Sequence, residues 1–340
     1  MTANDKRLRT IENAGGLSMS KQVLVVIPVE ERHKVYLEKA GAGCQFTYAS
    51  PETVTEEQLA KAQIIIGNVS PAQLAKAPNL EWIQLNSAGS DTFCKPGVLK
   101  EGTLLTNATG AYGLAISEHM LGMSLMMLKH LGEYYRHQLN HEWISEGKVG
   151  SIWNSTTLVI GLGDIGGEYA KRMKMLGSYT IGLRRTEGEK PDYLDEVYTT
   201  DHLDEVLPRA DFVLLSLPNT PATYHIMDER RMRLMKQKAF LLNAGRGEAI
   251  DGEALNRVLR DGWLGGCATD VTEPEPLPAD SPLWDAPRMY ITPHISGKFN
   301  LPETFERIVR IAGGNLEKFL AGEKDGMKNL VDFKTGYRKR

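Results

Sequence analysis

Three short segments carry residues that together could move a hydride and a proton. Asn243-Ala244-Gly245-Arg246-Gly247 directly follows the apolar Phe240-Leu241-Leu242. An arginine between two glycines at a strand end can lean into a cleft and grip a carboxylate with its planar fork. Asp270-Val271-Thr272-Glu273-Pro274-Glu275-Pro276-Leu277-Pro278 is a proline-punctuated loop bearing acids, and Thr292-Pro293-His294-Ile295-Ser296-Gly297 places a histidine at the end of the last apolar run. Hydride transfer to a ketone needs a proton donor for the developing alkoxide, and histidine titrates near working pH. A carboxylate behind the imidazole fixes its tautomer and favours the protonated form. Singly, each residue has an ordinary structural explanation; as a set at successive strand ends they point to chemistry.

The hydride would come from a dinucleotide. Leu158-Val159-Ile160 runs straight into Gly161-Leu162-Gly163-Asp164-Ile165-Gly166, with a helical pattern after it. Gly161 permits the tight turn, Gly163 lets the backbone approach a pyrophosphate, and Gly166 lets helix and strand pack closely. The helix N-terminus then offers unpaired N–H groups to the phosphates. An NAD-selective site puts an acid about 20 residues on, at the ribose 2′-hydroxyl. Arg184 stands there instead, followed by Arg185 and Thr186. Guanidinium groups pair with a 2′-phosphate, so the expected cofactor is NADP(H), with NAD(H) as the alternative. The plainer reading is that the two arginines stack on the adenine or face solvent.

These motifs need strands to end where they begin. Apolar runs at 23–27, 63–67 and 80–85 alternate with a helical pattern at 32–39. The alternation restarts with strands expected at 157–160, 179–183, 212–217, 239–243, 266–270 and 289–291. Helices are expected between them at 165–176, 203–207, 228–236 and 253–260, with Gly177 and Gly262 where left-handed caps belong. Such βα alternation argues for an α/β protein of doubly wound parallel sheets. One dinucleotide-binding domain of the Rossmann type fits over 107–294, with a second, smaller α/β domain before it. A helix over 114–139 carries Met120, Met123, Met126 and Met127 as a core or subunit-packing stripe. His119, His130, His137 and His141 on or near it read as solvated or interface residues, and no metal is expected.

Composition narrows the classes. At 340 residues the chain is long enough for about two domains, and 41% hydrophobic with 24% charged residues is ordinary globular usage. Forty basic residues against 43 acids give a net charge of −3, no footprint for nucleic acid or an anionic membrane. Three scattered cysteines make neither a disulfide framework nor a zinc pattern, so a reducing, cytoplasmic setting is expected. Residues 1–20 lack the apolar core of a secretory signal and read as a disordered extension; 334–340 read as a solvated tail.

With these motifs in order, the chain resembles the D-isomer-specific 2-hydroxyacid dehydrogenases. The resemblance rests on the 161–166 turn, Leu217-Pro218-Asn219-Thr220, the 243–247 turn, the 270–278 loop and the 292–297 segment. It implies that Arg246 binds the substrate carboxylate and polarises the carbonyl, that His294 is the acid/base, and that Glu275 holds and tunes it. Glu275 is the match rather than Glu273, because the family's acid lies five residues after the aspartate equivalent to Asp270. Asp270 would contact the nicotinamide amide. Leu217, Pro218, Thr223, Asn243, Ala244, Gly245, Ser296 and Gly297 would line the cofactor. Ser87, Ala88 and Gly89 resemble the family's substrate loop, whose backbone N–H groups hold the same carboxylate.

The resemblance also implies a flavodoxin-like substrate domain made of 21–106 and 295–335, docking of a 2-keto or 2-hydroxy acid between domains, and a homodimer built on an arm that includes the 114–139 helix. Tyr112 and Trp143 would line the substrate pocket or simply pack. Two rivals stand beside a keto-acid reductase. One is a nucleotide-sensing binding protein like the corepressors of this fold, which keep the catalytic residues. The other is a dehydrogenase of a non-carboxylate substrate such as phosphite.

Overall fold

The computed structural model describes residues 20–333. The expected extension over 1–20, Ser20 apart, and the tail over 334–340 lie outside the described residues. The chain divides into two compact units, Met1–Ala108 with Val309–Arg340, and Thr109–Ile308.

In the first unit, strands β1 (Gln22–Val25), β2 (Gln45–Tyr48), β3 (Ile64–Ile66), β4 (Trp82–Gln84) and β5 (Leu104–Thr106) form one parallel sheet in the order β2-β1-β3-β4-β5. That is the flavodoxin-like order. Helices α1 (Glu31–Ala40), α2 (Glu56–Lys61) and α3 (Pro71–Leu74) occupy the connections. Thr55 and Ser70 cap the last two, each accepting from the N–H three residues on. The Ile-Ile-Ile of β3 is buried throughout, as a strand covered on both faces must be.

The second unit holds β6 (Thr156–Ile160), β7 (Tyr179–Arg184), β8 (Glu196–Thr199), β9 (Phe212–Leu215), β10 (Phe240–Asn243), β11 (Gly266–Thr269) and β12 (Met289–Ile291). Their order β8-β7-β6-β9-β10-β11-β12 is the Rossmann arrangement with one further strand, all pairs parallel. Helices α4 (Gly113–Leu128), α5 (Leu131–Leu139), α6 (Asp164–Met175), α7 (Leu203–Val206), α8 (Glu229–Leu234) and α9 (Gly252–Arg260) connect or cover it. A last helix, α10 (Pro302–Leu320), runs from this unit into the C-terminal segment of the first.

Three expectations need correction. The helix expected over 114–139 is two helices, because His130 takes a left-handed φ of 54° that no α-helix continues through. Seven strands, not six, make the nucleotide sheet; β8 was missed. The C-terminal segment of the first unit starts at Val309 rather than 295, because residues 295–297 are tied into the nucleotide unit through Asp270 and helix α4. Met120 and Met127 are fully buried on α4, whose Ser124 hydroxyl pairs with the Tyr169 hydroxyl of α6 at 2.8 Å. No described helix is long and apolar enough to cross a membrane.

Candidate active site

The turn after β6 is built on glycine for steric reasons visible at each position. Gly161 sits at φ 101°, and a Cβ there would meet the Ser216 carbonyl oxygen at 2.3 Å. A Cβ on Gly166 would lie 2.0 Å from the Gly161 carbonyl oxygen, so helix and turn touch backbone to backbone. On Gly163 it would meet nothing within 4 Å, which leaves that face clear for a phosphate to approach the N-terminus of α6. Leu162 packs its side chain against Gly182 of β7, while Ile165 is the second residue of α6.

Asp164 has a role the sequence did not reveal. Its carboxylate accepts from the backbone N–H groups of Gly110, Tyr112 and Gly113, at 3.1, 3.2 and 2.7 Å. It is thus an anion seated at the N-terminus of α4. Gly113 must be glycine, since a Cβ would stand 2.4 Å from the carboxylate. What Asp164 has left for a dinucleotide is its backbone. Tyr112, read as pocket lining, is buried, and that burial pushes its hydroxyl pKa up.

At the end of β10, buried Asn243 shapes the turn that presents Arg246. Its side-chain amide donates to the Arg246 carbonyl at 2.8 Å and accepts from the Gly245 N–H at 3.0 Å. Ala244 donates its N–H to Leu215 of β9, and a Cβ on Gly245 would strike the Leu217 backbone at 2.6 Å. The Arg246 guanidinium donates to the Gly245 carbonyl at 2.8 Å. Gly247 lies against the next loop, where a Cβ would meet the Thr272 carbonyl at 2.0 Å.

That next loop brings Glu275 to His294. The Nδ1 of His294 stands 2.9 Å from Glu275 Oε2, and the other carboxylate oxygen accepts from the Thr272 N–H at 3.1 Å. A carboxylate only accepts, so Nδ1 carries the proton and Nε2 is turned outward. The His294 side chain is 53% exposed and Glu275 38%, so the pair contributes little to stability and is placed for contact with a ligand.

Asp270 is what fixes the histidine's backbone. It is 2% exposed, and its carboxylate accepts from the Thr292 hydroxyl (2.6 Å), the Ile295 N–H (3.0 Å), and the N–H and hydroxyl of Ser296. A carboxylate has about four acceptor positions, and all are taken. Asp270 thus holds the 292–296 segment, in which His294 adopts φ 50°. Thr292 in turn lies 3.1 Å from Nε2 of half-buried His119. Because Thr292 donates to Asp270, His119 donates to Thr292. Helix periodicity alone offered no signal for this chain of bonds. Gly297 closes the segment against Ile116 of α4 and Tyr112, the residue before that helix.

Other expected residues fall as follows. Arg184, at the end of β7, donates to the carbonyls of Gly188 and Glu189. Arg185 is exposed beside it, and Thr186 Oγ1 is buried with no hydrogen-bond partner among the described residues. The hydroxyl of Thr223 closes the turn after Leu217 and Pro218, donating to the Pro218 carbonyl at 2.7 Å and accepting from the Thr220 N–H at 2.9 Å. These features fit a dinucleotide: a clear face at Gly163, an unpartnered hydroxyl at Thr186, and no acid at the end of β7.

In the first unit, the loop bearing Ser87, Ala88 and Gly89 has its three carbonyls held from within. They accept from Ala108 N–H, Asn107 Nδ2 and Ser87 Oγ at 2.9, 2.9 and 2.8 Å. The loop is fixed through its acceptors, which suits the presentation of N–H donors.

Beyond α5 an arm over 140–153 carries Trp143 fully exposed. His137 braces it, with Nδ1 2.7 Å from Glu142 and Nε2 2.6 Å from Glu146. Carboxylates on both ring nitrogens demand the imidazolium, so His137 is pushed above the ordinary histidine value and Glu146 below that of a carboxylate.

Comparison with known proteins identifies the family. Residues 121–296 match the family model described as D-isomer specific 2-hydroxyacid dehydrogenase, NAD binding domain. The chain is 33% identical over 256 residues to a glyoxylate reductase of Thermofilum pendens, covering 73% of this chain and 74% of that one. It superposes with a TM-score of 0.81 and 31% identity on a D-isomer specific 2-hydroxyacid dehydrogenase family protein of Aeromonas salmonicida, covering 92% of this chain and 99% of that one. A probable 2-hydroxyacid dehydrogenase of Rhizobium etli, solved with NADP, HEPES and L(+)-tartaric acid, gives 0.75 and 25% identity over 94% of this chain and 99% of that one.

Proposed function

Because the chain belongs to the D-isomer specific 2-hydroxyacid dehydrogenase family, we propose that it reduces a small 2-keto acid to the D-2-hydroxy acid with NADP(H), NAD(H) being the alternative. It is an oxidoreductase acting on CH–OH donors. The observation that carries the proposal is the His294–Glu275 pair at 2.9 Å, on loops that follow adjacent strands of the sheet that also presents Arg246. The glyoxylate reductase relative supports a small substrate.

When bound, the nicotinamide supplies the hydride. Arg246 grips the substrate carboxylate through its guanidinium fork and draws electron density from the carbonyl. Ser87, Ala88 and Gly89 are assigned to the same carboxylate through their N–H groups. His294, charged and holding Nδ1–H toward Glu275, gives the Nε2 proton to the carbonyl oxygen; in the oxidative direction Nε2 takes it back. Asp270 keeps that ring in place.

The absence of an acid at 184–186 and the unpartnered Thr186 hydroxyl support NADP(H), as does the NADP held by the Rhizobium relative. Three cysteines free of disulfides support a reducing, cytoplasmic setting. The functional form is assigned as a homodimer, with a second copy covering exposed Leu139, Trp143, Ile144 and Trp153.

Nicotinamide absorbance, followed with NADPH and NADH in parallel against glyoxylate, hydroxypyruvate and pyruvate, tests the reading. Turnover is expected, with kcat/KM favouring NADPH about tenfold or more, the scale of one charged contact. A preference for NADH overturns the assignment of Arg184 and Arg185. Turnover of phosphite without keto acids, or dinucleotide binding without turnover, overturns the reaction itself.

A further inference from the structure

We infer that His225 and Glu273 form a second histidine–carboxylate pair that holds the Glu275 loop in register, making His225 a positioning residue for the proton transfer. The inference rests on the reading of His294 and Glu275 given above.

Three loops meet at His225. It follows the 217–223 turn after β9, and its N–H donates at 2.7 Å to the carbonyl of Glu248, two residues beyond Arg246. Asn219 reinforces that contact by donating to the Glu248 carboxylate at 2.9 Å. Across the other side, His225 Nε2 lies 3.0 Å from Glu273 Oε2, in the loop after β11. The loops assigned to cofactor, substrate carboxylate and acid/base support thus meet at one residue, whose backbone N–H holds the Glu248 loop and whose imidazole holds the Glu273 loop.

The local chain is set up for this. His225 adopts a left-handed φ of 46°, uncommon outside glycine, and the ring of Tyr224 stacks on it at 4.0 Å between centroids with 14° between planes. Glu273 lies two residues before Glu275, with Pro274 between them and Pro276 after. Proline rings fix φ, so this stretch has little slack: a displacement of Glu273 carries Glu275 with it. The two acids reach different histidines, one at the loop's anchor and one at its working end. His225 and Glu273 are each about one-third exposed, so the pair is a weak contributor to global stability and its effect is local.

The test compares His225→Ala, His225→Gln, Glu273→Ala and the double alanine variant in the full-length protein. His225→Ala and Glu273→Ala are expected to lower kcat about tenfold, the scale of a sub-ångström misplacement, with dinucleotide affinity within about twofold. The double variant should be no worse than either single one, and His225→Gln, which keeps a donor, should recover most of the rate. Ring ¹⁵N shifts of His294 without dinucleotide give a readout independent of turnover. The neutral ring should be the Nδ1–H tautomer in the parent and a mixture in His225→Ala. A parent-like kcat and tautomer in His225→Ala would overturn the proposal, as would additive single-site losses. Should His225→Ala fail to fold, Glu273→Gln gives the same decision, with a severalfold loss expected and none contradicting it. If His294→Ala keeps the activity, it is the underlying reading that fails.

Discussion

His294→Ala is expected to lower kcat for keto-acid reduction by about a thousandfold, within the range for loss of a positioned general acid. The side chain makes its hydrogen bond to Glu275 and is more than half exposed, so its removal opens no core cavity. The loop remains held by Asp270 through the N–H groups of Ile295 and Ser296. Dinucleotide affinity should therefore stay within about threefold, the loss falling on the transition state rather than on binding. The backbone φ of 50° adds a complication, because alanine is disfavoured there by about 1 kcal/mol. His294→Asn, which tolerates a left-handed backbone better, serves as the matched control and should be equally inactive. Steady-state kinetics with calorimetric melting of both variants decides. Either variant retaining more than a tenth of the activity would remove His294 from the proton transfer.

Gly166→Ala should abolish dinucleotide binding at ordinary concentrations. The new Cβ would be placed 2.0 Å from the Gly161 carbonyl oxygen and 2.9 Å from Val159 Cγ1, and backbone cannot yield as a flexible side chain can. Helix α6 must move off the turn, taking its N-terminal N–H groups away from where phosphates bind. A loss of affinity of about a hundredfold or more is expected, together with roughly 1–3 kcal/mol of stability, as for an overpacked core site. Gly163→Ala makes the contrast. Its Cβ would meet nothing within 4 Å, so melting should be unchanged, yet the methyl would stand where a pyrophosphate approaches. Fluorescence titration with NADPH beside melting curves separates the two. Equal stability of Gly166→Ala and the parent would contradict the steric argument.

The sequence was most readable where burial is two-sided. β3 and β9 are wholly apolar, and β6 and β10 carry the apolar runs Leu158–Ile160 and Phe240–Leu242, because helices cover both faces of their sheets; the ends of the last two located the 161–166 and 243–247 turns. Two edge strands escaped for the converse reason: Gln45–Tyr48 and Glu196–Thr199 are partly solvated and mix polar with aromatic residues. The break between α4 and α5 was invisible because Leu128-Lys129-His130-Leu131 carries no proline and the apolar spacing continues through it. At the site, Arg246 and His294 stood out as polar residues at strand ends, and Glu275 stood out from Glu273 only through the family resemblance. The work of Asp164 and Asp270 did not, because a carboxylate's partners are donors brought from distant segments by the fold. Asp270 gathers Thr292, Ile295 and Ser296 from more than twenty residues away, and Asp164 gathers residues more than fifty away.

The central claim is that a hydride reaches C2 of a 2-keto acid on this chain. It is tested most directly with NADPH deuterated at the transferring C4 position, a 2-keto acid, and chiral analysis of the product by mass spectrometry and NMR. The expected result is one deuterium bound at C2 of the D-2-hydroxy acid, from either a stoichiometric or a catalytic incubation. A hydroxy acid without deuterium at C2, the L isomer, or no hydroxy acid at all while the dinucleotide binds, would contradict it.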